Sequence, residues 1–170
     1  SIALGSILEA SGEHSFAAGW NNVASGPSSI AMGTLSEATQ QDGIAIGYRV
    51  ETTGKYAMAF GRYSSAENDY SATFGNNLKA TADGAMVLGS GTDFFSPLEN
   101  TIPNSMMIGF GESPTMMINS ERVGVGTSSL SSSYTLQVKA TSGSYAIFGE
   151  SIDQGGVYGY STNEIGVRGV

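Results

Sequence analysis

Few residues in this 170-residue chain could carry acid–base or metal chemistry. His14 is the only histidine and cysteine is absent, so a histidine-based triad or a thiolate or multi-histidine metal site cannot form within one chain. The paired carboxylates of Glu37 and Glu51 could transfer protons to and from a glycan. A solvated acidic face, with Arg49 near enough to soften the repulsion, is the simpler interpretation. We therefore predict that the chain is not an enzyme and binds no metal.

Charge and composition exclude further kinds of partner. The net charge is −8, and only seven residues are Lys or Arg, which opposes binding to nucleic acid or to anionic lipid. No run of eighteen apolar residues occurs, so this segment is not predicted to insert into a membrane. The Gly-x-Gly pairs at 109–111 and 124–126 lack a following helical pattern, so phosphate cradling is unsupported and no cofactor is expected.

Aromatic and arginine side chains form the remaining group with recognition chemistry. Trp20, Tyr48 and Arg62 are spaced by multiples of fourteen residues, and Arg49 and Tyr63 directly follow two of them. Such side chains combine apolar contact with directed hydrogen bonds, as carbohydrate-binding and protein-binding sites do. These five residues are therefore our candidate ligand contacts, for a glycan or a protein. The alternative interpretation is that Trp20 and Tyr48 cover a seam between subunits.

The fourteen-residue spacing runs through the first half of the chain. A three-residue apolar word, such as Ile44-Ala45-Ile46, precedes each closing glycine, and its middle residue is Ala in five of seven copies. A second small residue stands five positions after each of the first six glycines, as Ala38 does. Columns that stay in phase over such a distance indicate a repeat architecture. The closing glycines are Gly5, Gly19, Gly33, Gly47, Gly61, Gly75 and Gly89.

A period of fourteen residues predicts a coil of two short strands and two tight turns. The apolar word supplies the first strand, and the second lies two to five residues after the glycine, as at 49–52. The glycines would take the positive φ angles that the corners require. Successive coils would stack as parallel strands about 4.8 Å apart. We therefore predict an all-β fold with a parallel β-roll of seven coils.

Alternation within each apolar word separates an inner column from two outer columns. The residues before and after the middle Ala share one strand face, and the Ala points to the other. A narrow coil has room for Ala in its lumen, so the bulky columns would form an apolar stripe outside, which soluble monomers seldom expose. Self-association would bury that stripe, whereas a wider, flattened coil with the bulky columns inside would be stable as a monomer. The bulky columns comprise Ile2, Leu4, Ile30, Met32, Ile44, Ile46, Met58, Phe60, Phe74, Met86 and Leu88.

The repeated words resemble the head repeat of trimeric autotransporter adhesins. The resemblance covers residues 1–91 and rests on SIALG, SSIAMG, DGIAIG and YAMAFG, with Ala-Ser-Gly at 10–12 and 24–26. It implies a left-handed roll, an intertwined homotrimer with the bulky columns as its core, and a binding role outside a Gram-negative cell or on a fibre. The words at 16–19 and 72–75 are looser copies, and no heptad stalk follows the head.

After Gly89 the phase breaks, and residues 92–104 are predicted to form a connector. Phe94, Phe95 and Leu98 are too apolar for a flexible linker. We expect them to cap the open end of the roll, because an uncapped solenoid exposes its core and its strand edges.

Residues 105–140 are predicted to form a β module of another kind. RVGVGTSSLSSSYTLQVK, at 122–139, resembles the GIGT…YxLxV segment of phage tail fibres. Residues 141–170 would begin a further β-rich repeat or a tip domain, because Gly149, Gly159 and Gly169 are spaced by ten. An adhesin-type head joined to tail-fibre modules suggests a mosaic fibre.

These resemblances predict an extracellular trimeric fibre segment that adheres to, or recognises, a glycan or protein of a target-cell surface. A structural shaft or spacer whose recognition tip lies outside the segment is the alternative. The first option places the chain at a cell surface, and a virion tail fibre is the other location. Because Ser1 already lies within a repeat, we expect the chain to be a fragment of something longer.

Overall fold

The computed structural model describes residues 1–127, 129–133 and 135–139, which contain seventeen strands; the repeat expected at 141–170 lies outside them. The strands are β1 (Ile2–Ser6), β2 (Phe16–Trp20), β3 (Val23–Ala24), β4 (Ile30–Thr34), β5 (Glu37–Ala38), β6 (Ile44–Tyr48), β7 (Glu51–Thr52), β8 (Met58–Arg62), β9 (Ser65–Ala66), β10 (Ala72–Asn76), β11 (Leu78–Ala80), β12 (Met86–Ser90), β13 (Leu98–Asn100), β14 (Ser105–Phe110), β15 (Met116–Asn119), β16 (Val123–Val125) and β17 (Leu136–Val138).

Two sheets build a parallel β-solenoid. The apolar words form the first sheet in the order β1-β2-β4-β6-β8-β10-β12-β14, and β15, β16 and β17 extend it. The short strands form the second sheet in the order β13-β11-β9-β7-β5-β3. From β1 to β12 each residue lies opposite the one fourteen positions later, as Gly33, Gly47 and Gly61 do. The predicted all-β, parallel solenoid with fourteen-residue coils is therefore confirmed.

The turns depend on residues that the sequence pattern did not single out. A left-handed residue occurs every seven positions, two and nine residues after each of the first six closing glycines. Arg49 is one of them, with φ 51°, so the strand expected at 49–52 is shorter and runs only over β7. The other non-glycine members between the first and sixth coils are Ile7, His14, Asn21, Ser28, Leu35, Asp42, Tyr56, Tyr63, Tyr70 and Asn77.

The lumen of the roll is filled mainly by small side chains. Ala17, Ala31, Ala45 and Ala59, the middle residues of four successive words, are fully buried, which confirms the predicted inner column. Buried amides also contribute: Asn22 donates from Nδ2 to a carbonyl oxygen of its own coil at 2.7 Å and to one of the next coil at 2.9 Å, and it accepts from a backbone N–H of that next coil at 2.8 Å. These bonds satisfy polar groups that the narrow interior shields from water.

The bulky columns lie on the outer face of the first sheet. Ile2 and Leu4 are 56% and 60% exposed, and Met58 and Leu88 also remain exposed in the single chain. The alternative of a flattened coil with these columns inside is therefore wrong, because the inward positions belong to the alanines. The chain carries an apolar stripe along the first sheet.

The roll continues beyond Gly89 into an eighth coil. β14 pairs in parallel with β12, so that Gly109 lies opposite Gly89 although twenty residues separate them. The extra residues form a turn outside the roll, and Leu98 then enters the lumen with β13. Phe94 and Phe95 are 58% and 89% exposed, so the expectation that they cap the core is wrong. Parallel stacking ends where β15 runs antiparallel to β14.

Candidate ligand-binding site

Four of the five predicted ligand contacts meet at one edge of the roll, where the first sheet turns into the second. Tyr48 and Arg62 are opposed residues at the ends of β6 and β8. Arg49 and Tyr63 follow them as left-handed turn residues, and the Tyr63 N–H donates to the Tyr48 carbonyl at 2.9 Å. Coil stacking therefore sets these side chains side by side.

Aromatic and cationic groups interlock at this edge. The rings of Tyr48 and Tyr63 meet edge to face, with centroids 5.4 Å apart. The Arg62 guanidinium lies 4.8 Å from the Tyr63 centroid, and Arg49 lies 5.9 Å from both rings. These are cation–π distances. The pKa of the Tyr63 hydroxyl is lowered, mainly by a hydrogen bond from Arg62. Partial burial acts in the opposite direction, whereas a hydrogen bond with Tyr48 and the charges of both arginines lower the pKa further.

Trp20 stands apart from this cluster. It lies opposite Thr34, which in turn lies opposite Tyr48, so Trp20 is two coils away. Its side chain is 46% exposed. The structure therefore groups four of the predicted contacts and leaves Trp20 as a separate exposed aromatic on the same edge.

A turn that the sequence pattern did not assign to the site lies next to Tyr63. The Asp93 carboxylate accepts from the backbone N–H groups of Phe95 at 2.8 Å and Ser96 at 2.9 Å. Phe94 packs edge-on against Tyr63 at 5.5 Å, and Phe95 packs against Phe94 at 5.3 Å. In the sequence, the two adjacent phenylalanines were the signal that could have indicated this contact. They were interpreted there as a cap of the roll.

Between this turn and the outer face of the second sheet lies a cavity of about 510 Å³, hereafter the turn cavity. Its volume falls within the range of about 300–1,000 Å³ typical of ligand sites. Phe94 and Tyr63 line one side, and the second sheet supplies Glu51, Lys79 and Glu99.

Charges in the turn cavity are partly paired. Lys79 bridges to Glu67 at 3.1 Å. Partial burial is the main cause that raises the pKa of the Glu51 carboxyl, and the neighbouring carboxylates of Glu37 and Glu67 raise it further. Lys79, rather than the expected Arg49, is the cation that offsets part of this rise. The Glu37–Glu51 pair, opposed on β5 and β7, is thus a repulsive contact.

Other chemistry finds little support in the part of the chain that the structure describes. That part holds no group of three or more His, Cys, Asp or Glu side chains placed to bind a metal ion. His14 instead lies beside Glu13, with its Nε2 3.3 Å from the carboxylate, and both side chains are exposed. None of the described segments is a helix with the length and apolarity that a membrane crossing requires.

Comparison with known proteins connects this fold to a family. The family described as "YadA head domain repeat (2 copies)" matches residues 10–36, 24–49 and 53–77, all within the parallel roll. Heads of this family are trimeric adhesins of the cell surface, and the family is structural and adhesive, not enzymatic. No curated protein and no solved structure matched the chain. The matched stretches, which make up less than half of the chain, are therefore similar to YadA head domain repeats, and here they form a parallel β-solenoid.

Proposed function

We propose that the chain is a segment of an extracellular, intertwined homotrimeric fibre that adheres to, or recognises, the surface of a target cell. The match of three stretches of the roll to YadA head repeats carries this proposal. The apolar stripe supports it independently, because a soluble monomer seldom exposes such a surface. The proposal includes a left-handed winding of the coils, as in adhesin heads of this kind.

In this proposal the trimer core is built from the outer face of the first sheet. Ile44 and Ile46, on β6, would face the threefold axis with the equivalent residues of the other coils. The second sheet, and the edge of the roll where the first sheet turns into the second, then remain on the outside of the trimer. The proposed contacts to a surface glycan or protein are therefore Trp20, Tyr48, Arg49, Arg62 and Tyr63. The alternative role of Trp20 and Tyr48 is to cover the subunit seam.

Solution mass and surface binding test the proposal. The purified chain should sediment at three times its monomer mass and, when labelled, bind to at least one member of a panel of bacterial and animal cells. A monomer at micromolar concentration would contradict it. The double variant Trp20→Ala/Tyr63→Ala separates the two roles of the edge: weaker cell binding by an equally stable trimer indicates a site, and a less stable trimer with unchanged binding indicates a seam.

Residues 122–139 extend the proposal to a mosaic fibre. There β16 pairs antiparallel with β15 and parallel with β17, a pattern unlike that of the roll. This change at the segment with a tail-fibre-like sequence supports a junction between two kinds of fibre module, on a bacterial or a virion fibre. A stable trimer that binds no cell in the panel would favour the spacer function over adhesion.

A further inference from the structure

We propose that the turn cavity is a binding site for a neutral saccharide, with Phe94 and Phe95 as its stacking surface. The inference rests on the proposed adhesive function and names the ligand class and the place where it binds. The observation behind it is the juxtaposition of an exposed aromatic turn with an interleaved set of hydrogen-bond donors and acceptors on the second sheet.

The aromatic surface is held in a fixed position before any ligand arrives. Beyond the two bonds that Asp93 accepts, the Thr92 N–H donates to the Ser96 carbonyl at 3.1 Å, which closes the turn. Phe94 is further fixed by its edge contact with Tyr63. Phe95 remains 89% exposed, so its ring is free to stack on a ligand. A surface ordered in advance loses less conformational entropy on binding.

Donors and acceptors in the cavity point to a neutral polyhydroxylated ligand. An anion would require mainly donors and a cation mainly acceptors, whereas this cavity contains two cationic side chains and three carboxylates, one of which pairs with Lys79. A sugar hydroxyl both donates and accepts, so it matches such a mixed set. The apolar face of a sugar ring would meet the phenylalanines, as aromatic side chains favour flat apolar contacts.

The site stays open in the proposed trimer. Its floor is the outer face of the second sheet, because Glu51 and Lys79 alternate with the buried residues Thr52 and Ala80 that face the lumen. The apolar stripe is on the outer face of the first sheet, across the lumen from this floor. Burying the stripe in a trimer therefore leaves the turn cavity on the outside.

A printed oligosaccharide array tests the inference on the intact chain. The array should carry hexose-, N-acetylhexosamine- and sialic-acid-terminated glycans, with hexalysine and hexaglutamate peptides as charged probes. We expect binding to at least one neutral glycan class. The double variant Phe94→Ala/Phe95→Ala should weaken that binding about tenfold or more. Tyr70→Ala is the matched control, because Tyr70 is an exposed aromatic in the turns at the other edge, and it should bind as the parent does.

A second variant guards against a folding defect. Glu99→Gln removes one exposed acceptor charge without changing the shape of the side chain, and it too should weaken glycan binding. Undiminished binding by both variants would overturn the site. Cell binding without any neutral-glycan signal, or with a preference for sialic acid or a charged peptide, would overturn the ligand class while the adhesive function stands. Failure of cell binding as well would contradict the adhesive function itself.

Discussion

At the residue scale, the closing glycines are required chiefly by the distance between coils. Gly47 has φ 143°, in the region that favours glycine, but the sharp left-handed corner follows two residues later at Arg49. A Cβ atom built on Gly47 would overlap the carbonyl oxygen of Gly61 on the next coil. Each closing glycine therefore allows one coil to rest on the next.

Replacing Gly47 by Val should lower the free energy of unfolding by more than the backbone strain of the substitution would cost by itself. Gly111 is the matched control, because its φ is 112° but a Cβ there would meet only the Thr92 hydroxyl, at 3.9 Å. Gly111→Val should cost about 1–3 kcal/mol, as expected for a strained φ. Gly47→Val should cost clearly more, because it adds the overlap with the next coil. Equal losses in chemical denaturation would show that stacking is not the constraint; an unchanged melting curve with lost target binding would assign the column to a ligand site.

The like-charged pair on the second sheet makes a prediction about pH. Because the pKa of Glu51 is raised, the folded chain holds this proton more tightly than the unfolded chain does. The contribution of Glu51 to the free energy of unfolding therefore falls as the pH rises through the pKa of the folded state. Glu51→Gln should therefore stabilise the fold at pH 7 by about 0.2–1 kcal/mol. The gain should disappear below pH 4.5, the ordinary value of this carboxyl.

Glu9→Gln provides the control for this charge effect. Glu9 occupies the same outward column but lies opposite Val23, so it faces no like charge there. Its replacement should leave the melting temperature nearly unchanged at both pH values. A Glu51→Gln variant that is no more stable than the parent at pH 7 would show that solvent screens the pair completely.

At the element scale, the inner column of the roll holds larger side chains in the later coils. The inner column is Ala in β2, β4, β6 and β8, then Thr73, Val87 and Met107 in β10, β12 and β14. All of these side chains are buried. The same column thus accepts larger residues as the roll approaches its eighth coil, where the longer connection enters the second sheet.

Valine placed at two positions of this column should have opposite effects. Thr73→Val should stabilise the fold by about 1–3 kcal/mol, because the buried Thr73 hydroxyl finds no hydrogen-bond partner among the described residues. Ala45→Val should destabilise it by about 1–3 kcal/mol through overpacking, because this part of the inner column is filled by alanines. Urea denaturation of both variants measures the difference. A destabilised Thr73→Val protein would mean that an ordered water satisfies the hydroxyl.

Much of the fold could be predicted from the sequence, because the positions of the glycines and of the apolar words are both periodic. The spacing of fourteen and the strict alternation around Ala45 predict the coil and its inner column. The eighth coil could not be predicted this way, since the residues inserted between Gly89 and Gly109 shift the phase. Four candidate contacts share an edge because their spacing equals the period. The contribution of Phe94 depends on a turn that folds back over earlier coils, which no local pattern records.

At the scale of the whole molecule, the two sheets of the roll present different outer faces. The first sheet presents its bulky columns outward over successive coils, while the second sheet presents charged and polar side chains. The net charge of −8 favours solubility but does not cover the apolar stripe. The proposed association of copies through the first sheet would bury the stripe and leave the charged face in water.

Replacing Ile44 and Ile46 together by Asp should abolish the proposed trimer. Each subunit would place two unpaired carboxylates in the core, and an uncompensated buried charge costs about 3–5 kcal/mol. The double variant Tyr56→Asp/Tyr70→Asp is the control, because those exposed rings stack on each other at the other turn edge, away from the stripe. Sedimentation should show a dissociated or unfolded isoleucine variant and a trimeric tyrosine variant. An intact trimer with both isoleucines replaced would show that these columns do not face the threefold axis, and the packing of the fibre would have to be rebuilt on another surface.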